Sequence, residues 1–191
     1  MRHLFFALTA AVAFTATPAF ANEAADAVEA ASVTLPPNQY VWSDAAVPGA
    51  ITVVVSIPQQ RAFVYSGDNL VAATSVSTGK DGKDTPIGVY PILQKNEMHR
   101  SNLYNSAPMP FMQRLTWDGI ALHAGRNPGF PDSHGCVRLP AEFAKRLFAI
   151  TQLGTTVVVT DQEVAGTQLD RNLLITDVAR ANAAQLASLG E

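Results

Sequence analysis

Between Ile51 and Ser77 the chain reads ITVVVSIPQQRAFVYSGDNLVAATSVS. β-Branched runs at Ile51–Ser56, Arg61–Tyr65 and Leu70–Ser77 favour extended backbone, where branched side chains pack well on a pleated surface. Ser66-Gly67-Asp68-Asn69, between the last two runs, is a hairpin signal, because Gly and Asn accept the backbone angles that tight turns need. TPIGVYPIL adds a strand after Thr85, and Ile120–His123 adds another after Trp117-Asp118-Gly119. TTVVVT at Thr155–Thr160 closes the series. One helix is predicted among these strands, following Cys136. Pro140 suits its first turn, Phe143, Ala144, Leu147 and Phe148 share one face, and Gly154 lies just past its end. A chain with this many short strands and one helix is restricted to a mainly β, mostly antiparallel domain with that helix packed on it.

The flanks read differently. Met1-Arg2-His3 is a short basic start, Leu4–Thr17 is apolar, and Ala19-Phe20-Ala21 has the small-x-small spacing of a signal-peptidase site. That apolar run is shorter than the ~20 residues needed to span a bilayer, so residues 1–21 are expected to be a secretory signal peptide. No stable membrane span is expected after cleavage. Residues 22–50, Ala/Glu-rich and then interrupted by Leu35-Pro36-Pro37, read as an N-terminal spacer. Residues 51–161 carry the strand series and are the expected main domain. Residues 162–191 form a polar C-terminal tail, with a helix predicted at Thr176–Leu189. Asn96–Gln113 breaks the strand periodicity with Pro108 and Pro110 and is expected to be a long mobile loop of the kind that forms lids. The formal net charge of −3, or −4 once Arg2 is removed, argues against nucleic acid as a partner.

Export makes the single cysteine informative. An oxidising compartment favours disulfides, yet Cys136 has no partner in the chain. It stands in HAGRNPGFPDSHGCVRLP, with His134 two residues before it and His123 thirteen residues upstream. Four readings are open: an inert buried thiol, an intermolecular bridge, a zinc site with His123 and His134, or an acyl-transfer nucleophile. Acyl transfer needs a thiolate beside an imidazole and bare backbone N–H groups for an oxyanion. His123 ends a predicted strand that can hold it rigidly, and Gly135 with Cys136 offers the amides. Zinc has weaker support, since the H-x-C spacing is unspecific and no general-base Glu is near in sequence. His99 is read as structural.

His123, nine residues, then Ser133-His134-Gly135-Cys136-Val137-Arg138 resembles the signature of the L,D-transpeptidase (YkuD-type) catalytic domain family. The upstream Ser77-Thr78-Gly79-Lys80 and Thr85-Pro86-Ile87-Gly88 segments and the closing GTTVVVT are similar to the family's as well. The resemblance covers about Ile51–Asp161. It implies an L,D-transpeptidase catalytic-domain-like β-sandwich with a packed helix after the catalytic cysteine, and no cofactor or metal. It implies Cys136 as nucleophile, His123 as base, and the carbonyl of Ala124 orienting that base. Ser133 and His134 would brace the site, Gly135 with Cys136 would supply oxyanion amides, and Arg138 would face substrate carboxylates or lock the loop. Thr85-Pro86-Ile87-Gly88 would be architectural. Two features depart from many members of the family: the shorter spacer to Ser133, and Ala124-Gly125 after the histidine.

The implied activity is periplasmic: cleavage before the terminal D-Ala of peptidoglycan tetrapeptide stems and formation of 3→3 diaminopimelate crosslinks. Carbapenem-type inhibitors are expected to acylate Cys136. Arg100, Arg114, Arg126 and Arg138 are expected around the cleft, offsetting the acidic net charge toward an anionic substrate. L,D-carboxypeptidase action or D-amino-acid exchange at the same site is a competing outcome. So is a non-catalytic wall-binding module. A papain-like protease is disfavoured, because there the cysteine opens a helix and precedes its histidine.

Overall fold

A computed structural model describes residues 18–45 and 48–175. Two sheets form the body. The larger is built from β1 (Tyr40–Trp42), β2 (Ile51–Ser56), β3 (Arg61–Ser66), β4 (Asn69–Ser75), β5 (Gly88–Pro91) and β10 (Thr156–Thr160), in the order β1-β4-β3-β2-β10-β5. The smaller runs β6 (Gln94–Arg100), β7 (Pro108–Arg114), β8 (Ala121–Ala124) and β9 (Val137–Leu139) side by side. Neighbouring strands are antiparallel except β2 with β10 and β8 with β9. Helix α2 (Ala141–Ile150) follows β9, where it was expected.

Alternation along the strands sends side chains to two separate cores. Val53, Val55, Ala62, Val64, Val157 and Val159 point between the sheets, meeting Leu122, Val137, Leu139 and the Phe143, Ala144 and Leu147 stripe of α2. Tyr40 and Trp42 close this layer by setting their rings edge-on to Phe143, at 5.6 and 5.4 Å between centroids. Val54, Phe63, Tyr65, Ala73 and Val158 point to the opposite face of the larger sheet. They are covered by helix α1 (Pro18–Val33) and by the segment after β10.

That cover corrects two expectations. The stretch read as a spacer contributes α1, whose Ala25, Val28 and Ser32 are buried, and then edge strand β1. The start of the tail returns over the sheet, burying Val164, Leu169 and Leu173, the last in a 3-10 turn at Arg171–Leu174. Val53-Val54-Val55 and Val157-Val158-Val159 are unbroken apolar runs, as befits strands buried on both faces, so each face needs a cover. The helix expected at Thr176–Leu189 and most of the expected signal peptide lie outside the described residues. No helix among the described residues is long and apolar enough to cross a membrane.

The region expected to be a loop is instead the β6–β7 hairpin, with its tip at residues 101–107. Proline donates no ladder hydrogen bond and is tolerated where an edge is free. β7 pairs with β8 only at Gln113↔Leu122 and Arg114↔Ala121, so its Pro108–Pro110 half has no second neighbour to supply. The hairpin's base is fixed by Lys95, whose Nζ donates 2.6 Å hydrogen bonds to the carbonyls of Phe148 and Thr151 and so caps the end of α2.

Candidate active site

The parallel pairing of β8 with β9 sets His123 opposite Arg138, between the inward-facing pairs Leu122–Val137 and Ala124–Leu139. Because neighbouring residues on a strand alternate faces, burying those four leaves His123 and Arg138 on the other face of the sheet. Cys136 immediately precedes β9, two residues before Arg138, and lies on that same side. The three line one cleft of about 440 Å³ with Ser133, His134, Tyr104, Asp118, Gly119, Arg126 and Asp132.

His123 is 7% exposed and its Nδ1 lies 2.8 Å from the carbonyl oxygen of Ala124. A carbonyl only accepts, so Nδ1 carries the proton and Nε2 of the neutral ring keeps its lone pair. Burial holds the imidazole down to a pKa of about 4, against the opposing Ala124 hydrogen bond and with help from the Arg138 charge. Cys136 packs against Met109, Met112 and Ala121, and its Sγ donates to the carbonyl of Gly119 at 3.4 Å. Burial pushes its thiol up, with the Ala121 backbone and the charges of Arg138 and Arg114 pulling the other way. Burial thus disfavours the charged form of both groups, the thiolate as well as the imidazolium.

The loop before Cys136 is held by a network of local and long-range hydrogen bonds. Ser133 Oγ donates to the carbonyl of Cys136 (2.5 Å) and accepts from the N–H of Gly135 (3.0 Å). Thr85 Oγ1 donates to the carbonyl of Gly135 (2.8 Å) and accepts from the N–H of Gly79 (2.9 Å). The N–H groups of Asp132 and Ser133 both reach the carbonyl of Thr78, itself fixed by buried Gln60 through two side-chain hydrogen bonds. Gly135 has φ +115°, a conformation that L side chains rarely adopt, and that is why glycine stands before the cysteine. Its N–H is donated to Ser133 here, so service as an oxyanion donor requires that bond to exchange; sequence gave no sign of this. Gly135 and Ala124 are both buried, and Ala124 contributes its carbonyl to His123.

Other expected residues separate into groups. His134 is exposed and stacks on Tyr104 from the hairpin tip. Arg138 donates to Asp132 Oδ2 at 3.1 Å, so it locks the loop. Arg126 shares the same oxygen at 3.1 Å. Arg114 lies in an adjoining cleft with His99 and Trp117, while Arg100 donates to the carbonyl of Ser106 at the base of the hairpin tip. Among the described residues no three His, Cys, Asp or Glu side chains converge as metal ligands. Thr85, Gln60, Tyr104 and Asp132 were not expected at the site. The partners of Thr85 and Gln60 are up to 50 residues away, so no local pattern could reveal them.

The fold and this geometry agree with the comparisons to known proteins. The family model described as YkuD, L,D-transpeptidase catalytic domain, matches residues 50–159. The probable L,D-transpeptidase YbiS of Escherichia coli K12 is 28% identical over 157 residues, covering 69% of this chain and 50% of that protein. The chain thus spans about half the length of the curated relatives it matches. An L,D-transpeptidase crystal structure from Stackebrandtia nassauensis superposes with a TM-score of 0.55 at 28% identity, covering 64% of this chain and 60% of that one. LD transpeptidase LdtMt1, solved in complex with imipenem, shares the fold at a TM-score of 0.54 and 23% identity, over 58% and 59% of the two chains. By the span and position of the family match, with Cys136, His123 and their supporting loop inside it, the chain belongs to the YkuD family of L,D-transpeptidase catalytic domains.

Proposed function

We propose that this protein is a periplasmic peptidoglycan L,D-transpeptidase that forms 3→3 crosslinks. The observation that carries the reading is the Nδ1–carbonyl bond of His123 in the same cleft as a partly exposed thiol. That bond points the basic nitrogen away from the backbone and fixes the tautomer that general-base catalysis needs. As Cys136 Sγ attacks the carbonyl joining the third stem residue to the terminal D-Ala, its proton passes to His123. The proton then goes to the departing D-Ala amine, leaving a thioester on Cys136. The acceptor amine, from the side chain of a second stem's diaminopimelate, gives a proton to His123 as it attacks, and Cys136 is restored as a thiol. No external energy source is required, because the energy of the broken amide is kept in the thioester. Generating charge only in the transition state suits a buried, neutral resting pair.

Purified tetrapeptide stems incubated with the protein and analysed by mass spectrometry test the reading. Crosslinked dimers with release of D-Ala are expected. Tripeptide alone would make water the acceptor and the protein an L,D-carboxypeptidase. No product, together with no carbapenem adduct on Cys136, would leave a wall-binding module. Cys136→Ala is expected to abolish acylation, and His123→Ala to slow it by roughly 10²–10⁴. The amino-terminal signal pattern supports the periplasmic assignment, and fractionation of cells expressing the tagged full chain checks it.

A further inference from the structure

The four arginines expected to attract an anionic substrate are not equivalent. Arg114 and Arg100 lie outside the Cys136 cleft. Arg138 is enclosed at 22% side-chain exposure, on β9, with its Cγ and Cδ over Gly125: a Cβ there would sit 3.1 and 3.2 Å from them and 3.3 Å from the His123 ring. Arg126 is 75% exposed, and its one ion pair among the described residues is to Asp132 Oδ2, an oxygen already satisfied by Arg138. It also borders a more open groove that continues from the cleft past Pro108, Pro110, Asn127 and Ala141.

We propose that Arg126 is the specificity-determining residue that selects a free carboxylate on the donor peptide, and that Asp132 holds it in place until that carboxylate arrives. An exposed ion pair contributes little, roughly 0–1 kcal/mol, so Arg126 can exchange Asp132 for a substrate carboxylate at small cost. Arg138 stays with Asp132, so the exchange leaves no carboxylate unpaired beside the thiol. A guanidinium presents a planar fork that matches a carboxylate with two parallel N–H bonds, and a carboxamide cannot reproduce that pairing. Arg126 would then be a binding residue and Asp132 a positioning residue. The inference rests on the transpeptidase reading above.

The test measures kcat and KM with the tetrapeptide stem and with stems amidated at the C-terminal or the diaminopimelate carboxylate, for the wild-type protein and R126Q and R126K. Expected is a preference of about tenfold in kcat/KM for the free acid over one of the amides in the wild type, carried by KM. R126Q is expected to abolish that preference, and R126K to restore only part of it, having the charge without the fork. Unchanged thermal midpoints would show that the variants are folded. A preference that survives in R126Q, or a wild-type protein indifferent to all three stems, overturns the assignment of Arg126 while leaving the transpeptidase in place. A wild-type protein that processes no stem at all overturns both.

Discussion

The ring of Tyr104, at the tip of the β6–β7 hairpin, lies on the ring of His134, with centroids 4.7 Å apart and 27° between planes. His134 is two residues from Cys136, so this stack pins the hairpin tip over the cleft at the point of attack. An offset aromatic pair contributes about 0.5–1.5 kcal/mol beyond its burial. Tyr104→Ala is therefore expected to raise KM for stem peptides by about threefold to tenfold, with Tyr104→Phe near the wild type. Steady-state kinetics decide this, and equal KM values for all three proteins would show that the stack does not position the tip.

A neutral thiol and a neutral imidazole make a distinct chemical signature. In the free protein the rate of Cys136 alkylation by iodoacetamide is expected to climb with pH, with its midpoint above the ordinary cysteine value, because burial raises the thiol. A rate plateau between pH 5 and 7 is the mark of a preformed thiolate–imidazolium pair and would refute the neutral resting state.

The same burial links stability to pH. His123 titrates near 4 when folded and near 6.5 when unfolded, so the unfolded chain takes up its proton first as pH falls. Its contribution is fully present above pH 6.5 and is lost toward pH 4, amounting to about 3 kcal/mol. Cys136 is shifted upward, so its contribution is present below the unfolded thiol value and fades as pH rises past it. Urea midpoints across this range should show maximal stability between those limits. His123→Gln should flatten the acid limb, and an unchanged limb would mean that another group is responsible.

Thr85 should matter more than its place in a turn suggests. Its buried hydroxyl serves the N–H of Gly79 and the carbonyl of Gly135 together. Thr85→Val leaves both unsatisfied, at an expected cost of about 1–3 kcal/mol in urea unfolding and a loss of Cys136 acylation. Thr85→Ser keeps the oxygen and should recover most of both. If Val and Ser behave alike, the hydroxyl is not holding the loop.

Legibility followed range along the chain. β2, β3, β4 and β10 were readable because β-branched runs and turn residues act locally, and α2 because its apolar stripe repeats at the helical period. α1 escaped notice because the residues it buries, Ala25, Val28 and Ser32, are too small or polar to make a strong stripe. β6 and β7 escaped because polar residues and prolines conceal an exposed edge hairpin. At the site, His123 and Cys136 were legible from the signature order, and folding places both in one cleft. Tyr104, Thr85 and Asp132 were not, since each acts through a partner brought near by folding.

From the order of its residues alone, this chain settled its family, its mainly β character, and which sulfur and which imidazole stand in the signature. Folding set the surroundings of those two groups, because charge depends on how much water each can reach, and the burial of His123 and the packing of Cys136 against Met109, Met112 and Ala121 disfavour it. Folding also decided how the two cleft arginines differ in exposure. One carboxylate, that of Asp132, engages both Arg126 and Arg138, and the surrounding packing encloses Arg138 while leaving Arg126 largely exposed.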